Sequence, residues 1–113
     1  MTQAGAMEIE APAMGPWALL VVGEGTMGLH RLPAHGDVVI GRSVQAGVTL
    51  WHPSLSRRHV RLHLGSTVTV EDLGSRHGTV VAGRTLPPGE TRALGGGELM
   101  QLGAVAIGLV RAG

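Results

Sequence analysis

His59-Val60-Arg61-Leu62-His63-Leu64-Gly65-Ser66-Thr67-Val68-Thr69-Val70-Glu71 reads as two strands and the turn between them. On both sides of Gly65-Ser66, apolar residues alternate with polar ones at a period of two, as in strands with one solvated face. Gly-Ser between such runs signals a hairpin. Outward from it, the same short Val/Leu-rich runs recur at 17–22, 29–32, 38–41, 48–50, 79–81, 92–94, 99–102 and 105–110. Their breaks are turn residues: Ala82-Gly83, the rigid Pro87-Pro88-Gly89 and the loose Gly95-Gly96-Gly97. No ten-residue stretch combines a 3.6-residue period with helix start and stop signals. Many short strands at near-even spacing predict an all-β sandwich.

Composition narrows what such a sandwich does. A chain of 113 residues is expected to form one domain. Residues 1–16, made of small residues, Pro and two Glu, read as a flexible leader, and 17–111 as the folded part. Phe and Tyr are absent, so an aliphatic core is expected, with Trp17 and Trp51 the only aromatics. Zero Cys excludes a disulfide framework, a thiolate nucleophile and cysteine-ligated zinc, and fits a reducing cytoplasm. All nine cations are Arg, which removes every lysine-dependent mechanism and favours forked hydrogen bonding to phosphate. No apolar run approaches the roughly 18 residues of a membrane span, and no signal-peptide pattern opens the chain.

Charge is uneven although its net value is only +1. From Val38 to Val70 there is no acid, while Arg42, Arg57, Arg58 and Arg61 fall inside, so that region is expected to attract an anion. Three blocks there and just beyond lie where strands give way to turns: Ile40-Gly41-Arg42-Ser43, Ser54-Leu55-Ser56-Arg57-Arg58-His59 and Asp72-Leu73-Gly74-Ser75-Arg76-His77-Gly78-Thr79. Gly41 ends a strand with a residue able to take positive φ, which could turn Arg42 off the sheet rim. Ser56 and its neighbouring amide are donors, and Arg57 adds charge. Gly74 and Gly78 give the third block a flexible backbone with free amides. His59 has three readings: general base, metal ligand with His63, or a structural imidazole joining two loops. The structural reading leads, since no activated nucleophile is in view and strand rise holds His63 too far away to share an ion. No metal or cofactor is expected. Gly23-Glu24-Gly25-Thr26-Met27-Gly28 matches the dinucleotide fingerprint in letters, but a strand and Pro33 follow it where a helix is required, so it is expected to be a hairpin.

The order Gly41-Arg42, then Ser56-Arg57-x-His59, then Asp72-Leu73-Gly74-Ser75-x-x-Gly78-Thr79 resembles the forkhead-associated (FHA) domain, over roughly residues 17–110. Leu99-Met100-Gln101-Leu102-Gly103 resembles that family's penultimate strand. The resemblance implies a β-sandwich of about eleven strands with its ligand loops at one end, binding Thr-phosphorylated proteins and performing no chemistry. It also implies that Arg42 and Ser56 hydrogen-bond the phosphate with Arg57 beside it. Arg76 and His77 would face the peptide, and Gly41, His59, Gly74 and Gly78 would shape the loops. The family usually has Asn where this chain has His77, so binding is expected to be weaker, or sensitive to pH where imidazole titrates. The sequence is similar, further, to the modules at the N-terminus of bacterial enhancer-dependent transcription activators, which implies a sensor role in a signalling or regulatory protein. Two other classes stay open. One is a phosphate-independent assembly module using a sandwich face, including with itself. The other is a nucleic-acid binder using Arg42, Arg57, Arg58 and Arg61, disfavoured by the scarcity of aromatics and the absence of Lys.

Overall fold

Alternating apolar and polar side chains fold into eleven strands: β1 (Met14–Gly23), β2 (Thr26–Pro33), β3 (Gly36–Gly41), β4 (Val48–Thr49), β5 (Val60–Leu64), β6 (Val68–Asp72), β7 (Thr79–Val81), β8 (Arg84–Thr85), β9 (Thr91–Ala93), β10 (Leu99–Leu102) and β11 (Val105–Arg111). The structure, a computed structural model, describes residues 14–112, and these hold no helix. A six-stranded sheet runs β2-β1-β11-β10-β7-β8 and a five-stranded one β4-β3-β5-β6-β9. Every pairing is antiparallel except β3 with β4. The chain is therefore an all-β sandwich, as the strand spacing predicts.

Between the sheets lies an aliphatic core. Leu19, Val21, Ile107 and Leu109 from one sheet and Ile40, Val60, Leu62 and Val70 from the other are all fully buried. On β5 and β6 every second residue is buried, so the two strands first read from the sequence supply the centre of the five-stranded sheet. Truncating such a side chain, as in Leu62→Ala, costs about 2–5 kcal/mol through lost burial and an unfilled cavity. Trp17 packs at the rim of the core, with the Arg111 guanidinium 5.1 Å from its ring centroid.

Two features differ from the sequence expectations. The first strand begins at Met14, so the last three residues of the expected leader are strand, while residues 1–13 lie outside the described residues. Arg31 secures that early start by donating to the Gly15 carbonyl from Nε (3.3 Å) and Nη2 (3.1 Å). The two-residue β8 was not expected, and it pairs with β7 around Ala82-Gly83. With φ of 49° and 82°, those residues adopt the twist-matched hairpin turn, although Ala82 carries a Cβ there. The glycine-rich run that closes β1 is a tight hairpin, as the sequence predicts: Gly23 pairs with Thr26 around Glu24-Gly25.

Strand direction decides where the loops go. Gly41 ends β3, Val60 opens β5 beside it, and Asp72 ends β6 opposite Val60. Thr79 opens β7 opposite Leu102, the last residue of β10. The β3–β4, β4–β5, β6–β7 and β10–β11 connections thus gather at one end, together with the β1–β2 hairpin.

Candidate functional site

The three polar blocks meet at this end, beginning with Gly41. Its φ is not positive, contrary to the sequence expectation; what requires glycine is a close approach. A Cβ at position 41 would lie 2.0 Å from the Arg57 carbonyl oxygen and 2.9 Å from that of Ser56. Since no side chain fits, the β4–β5 loop lies directly on the end of β3. The peptide N–H groups of Arg42 and Ser43 donate to the carbonyls of Ser56 (2.9 Å) and Arg57 (3.1 Å), and His59 N–H donates to Ile40 (2.9 Å). Three backbone hydrogen bonds around Gly41 therefore fix the end of β3 and the β4–β5 loop together.

Arg42 continues the same clamp with its side chain. Its Nε donates to the Leu55 carbonyl at 3.0 Å, while its terminal nitrogens have no protein partner among the described residues. The guanidinium is exposed, aimed by one bond and left with donors to offer. Ser56 is partly buried, and its Oγ accepts the Arg76 N–H at 2.9 Å, tying the β4–β5 loop to the β6–β7 loop. Its hydroxyl proton remains to be donated outward. Arg57 is exposed beside it, whereas Arg58 lines a separate polar cleft with Ser43, Gln45 and Val39.

His59 is fully buried beneath these loops. Its Nδ1 accepts the Ser56 N–H (3.1 Å), so Nε2 carries the proton and donates to the Gly78 carbonyl (2.9 Å). One imidazole thereby joins the two loops through backbone groups. Burial pushes its pKa below the ordinary value, overriding the opposite pull of Gly78 and Asp72. Protonation would set two N–H donors against each other at Nδ1.

The β6–β7 loop is organised by Asp72, 2% exposed. Its Oδ1 accepts the amides of Gly74 (2.7 Å) and Ser75 (2.9 Å), and its Oδ2 accepts the hydroxyls of Ser75 and Thr79, both at 2.6 Å. Burial would raise this carboxyl's pKa, but those hydrogen bonds outweigh it and hold it below the usual carboxylate range. Ser75 Oγ also accepts the Gly78 N–H at 3.1 Å. Gly74 and Gly78 take φ of 83° and 84°, which lets the loop double back within six residues. Between them Arg76 and His77 are held outward, exposed, on the rim shared with Arg42, Ser56 and Arg57.

Two parts of this end escaped the sequence reading. Asp72 was read within its loop but given no role, although a Gly two residues on and a Ser three on are the signature of a side-chain-capped turn. The His52–Ser54 pair was missed as well. Ser54 Oγ lies 2.8 Å from His52 Nδ1 and accepts the Ala104 N–H at 2.9 Å, fastening the β4–β5 loop to the β10–β11 turn.

Comparison with known proteins bears on this geometry. The family model described as FHA domain matches residues 38–103, which contain all three polar blocks. Among solved structures, the FHA domain of the CT664 protein from Chlamydia trachomatis superposes with a TM-score of 0.78 at 26% identity, covering 88% of this chain and 100% of that one. An FHA domain studied for phosphothreonine-dependent interactions gives 0.74 at 26% identity, covering 88% and 99%. The yeast Dun1 FHA domain, solved with a doubly phosphorylated peptide from Rad53, shares the fold with a TM-score of 0.74 at 21% identity, covering 91% and 79%. No curated protein matches the chain.

Proposed function

Because the chain belongs to the FHA domain family, we propose that it is a signalling module that binds phosphothreonine in partner proteins. Arg42, Ser56 and Arg57 bind the phosphate, and Arg76 and His77 contact the peptide around it. The observation that carries this reading is the Arg42–Ser56–Arg76 chain of bonds. Arg42 is fastened to the β4–β5 loop through its amide and Nε, and Ser56 to the β6–β7 loop through Oγ, so donors from three segments are set before a ligand arrives. A phosphothreonine carries close to two negative charges and three acceptor oxygens. Donors fixed in advance lose little entropy on binding, and charge-assisted bonds to them are the stronger kind.

Gly41, His59, Gly74 and Gly78 serve this site by shaping its loops, without touching the ligand. No reaction is assigned to it. The buried carboxylate and imidazole are both engaged in internal hydrogen bonds, and the exposed groups are donors suited to holding an anion. In this reading the module is the recognition part of a bacterial signalling or transcription-regulatory protein in the cytoplasm. The resemblance to activator modules and the lack of Cys support that setting.

Titration calorimetry with matched phosphothreonine, phosphoserine and unphosphorylated peptides tests the proposal, using an oriented library to find a good sequence. A hydrogen bond to a charged group is worth about 1.5–3 kcal/mol, so Arg42→Ala should weaken phosphothreonine binding at least about tenfold. Equal affinity for the unphosphorylated peptide, or undiminished binding by Arg42→Ala, would overturn it.

A further inference from the structure

We propose that the cleft between Arg58 and the 43–46 turn is a second anion subsite. It would take a further phosphorylated or carboxylate side chain of the partner that presents its phosphothreonine at Arg42, and so rests on the proposed function. Val39, Ser43, Gln45 and Arg58 line this polar cleft, whose volume is about 310 Å³. The other large clefts among the described residues have mainly apolar walls. Arg58 is exposed, and its guanidinium has no carboxylate partner among the described residues. Facing it is a turn of fixed shape. Ser43 donates its N–H to the Arg57 carbonyl (3.1 Å), and its own carbonyl accepts the Ala46 N–H (3.0 Å) and the Thr49 hydroxyl (2.9 Å). Ser43 Oγ accepts the Gln45 N–H at 3.1 Å. The Ser43 hydroxyl proton and the Gln45 side-chain amide are left to donate. The polar walls thus offer donors, and no carboxylate lines the cleft.

The acids of the neighbouring sheet face are engaged away from the cleft. Asp37 lies 2.9 Å from His63 Nδ1, and Glu71 lies 3.2 Å from His63 Nε2 and 3.7 Å from Arg61. Arg61 therefore faces β6, and the Arg58 charge is left uncompensated at the loop end. A free guanidinium beside two neutral donors attracts anionic oxygens, and its planar fork suits phosphate and carboxylate alike. Position ties this cleft to the first site. Ser43 follows Arg42 and Arg58 follows Arg57, so the Ser43–Arg57 backbone bond is the seam between the two. An extended peptide advances about 3.3 Å per residue, so an anionic side chain about two to four residues from the phosphothreonine spans that seam. Once the phosphothreonine is bound, the second group docks from a tethered position, which raises affinity without a large entropic loss.

Titration calorimetry with a phosphothreonine peptide and a series derived from it tests the subsite. Each member carries one phosphoserine, or one glutamate, at a position up to about four residues to either side. At the best position phosphoserine should tighten binding about tenfold and glutamate about threefold, which separates the two sources of the anion. Arg58→Ala should abolish both gains while holding the singly phosphorylated peptide within about twofold of the parent. Arg61→Ala removes the same charge from the same sheet face and should keep the gains. No gain at any position would overturn the subsite while the first site stands. So would gains that survive Arg58→Ala, or that vanish equally in Arg61→Ala. A chain that binds no phosphothreonine peptide would end both readings.

Discussion

The two ends of the sandwich are built differently. At one, connections from different strands are tied together by side chains: His59 joins the β4–β5 and β6–β7 loops, Ser56 joins them again, and Ser54 reaches the β10–β11 turn. At the other, most turns are closed by their own residues, and the links between turn segments are backbone bonds apart from Arg92, which donates to the Arg84 and Thr85 carbonyls. Leu64 and Val68 pair around Gly65-Ser66-Thr67, Val81 and Arg84 around Ala82-Gly83, and Glu98 accepts the Gly95 N–H three residues away. His59, Asp72 and Thr79, the buried polar side chains among the described residues, all lie at the first end. Burying a polar group costs free energy unless it is fully hydrogen-bonded. The far end shows that this sandwich can be closed without such groups. Where they appear, the loops are being held in a set shape, and that is what a preorganised binding site requires.

If this contrast is real, equivalent changes at the two ends should have unequal effects. The largest is expected from Asp72→Ala, which leaves two amides and two hydroxyls without their acceptor. Each unpaired buried group costs about 1–3 kcal/mol. Urea denaturation should therefore show a loss of at least about 3 kcal/mol, and phosphopeptide binding should fall with it. Ser66→Ala in the far turn should stay within about 0.5 kcal/mol of the parent; similar losses for the two would erase the distinction. Next comes Gly41→Ala, whose methyl meets a backbone carbonyl that cannot rotate away. It should destabilise by about 1–3 kcal/mol and weaken phosphopeptide binding in calorimetry, although no ligand contact is deleted. Unaltered affinity would show that the loop separation at Gly41 does not matter to the site.

Two histidines sharpen the comparison through pH. His59, at the site end, has its pKa lowered, mainly by burial. Its contribution to stability is therefore complete above the unfolded value of about 6.5 and is lost as pH falls through the lower folded value. His63, on the outer face of the five-stranded sheet, has its pKa raised. Asp37 is the main cause, at 2.9 Å from Nδ1, with Glu71 at 3.2 Å from Nε2. Its contribution is complete below about pH 6.5 and is lost as pH rises through the higher folded value. Imidazole carbon-bound proton shifts followed by NMR should show His59 titrating below His63, with the ordinary value between them. The reverse order would contradict both environments. The smallest effect belongs to the far end. Ala82→Gly removes a Cβ from the left-handed region and should stabilise by about 1 kcal/mol, raising Tm by about 4 °C without changing peptide affinity.

Strands with regular alternation were legible from the sequence because burial on one face writes itself into every second residue. The 59–64 and 67–71 runs and their Gly-Ser turn are the clearest case. β8 was not legible: two exposed residues, Arg84 and Thr85, carry no period. For β1, the unbroken run Leu19-Leu20-Val21-Val22 is the signature of a strand apolar on both faces. Leu20 and Val22 nonetheless stay about half exposed on the outer face, which a strand reading alone does not separate from full burial. At the site end, residue types were legible and partners were not. Glycine at 41 suggested a positive φ, yet it answers to the Arg57 carbonyl, sixteen positions away in sequence. Long-range approaches of that kind leave no local pattern.

The most direct test of the account is a ¹⁵N–¹H NMR titration of the chain with a phosphothreonine peptide. It predicts that the shifted amides cluster at one end, around Arg42, Ser56, Arg57, Arg76 and His77, while Gly65, Ser66, Ala82 and Gly83 stay fixed. Shifts centred on the far turns or on a sheet face, or none at all with a peptide known to bind, would contradict it.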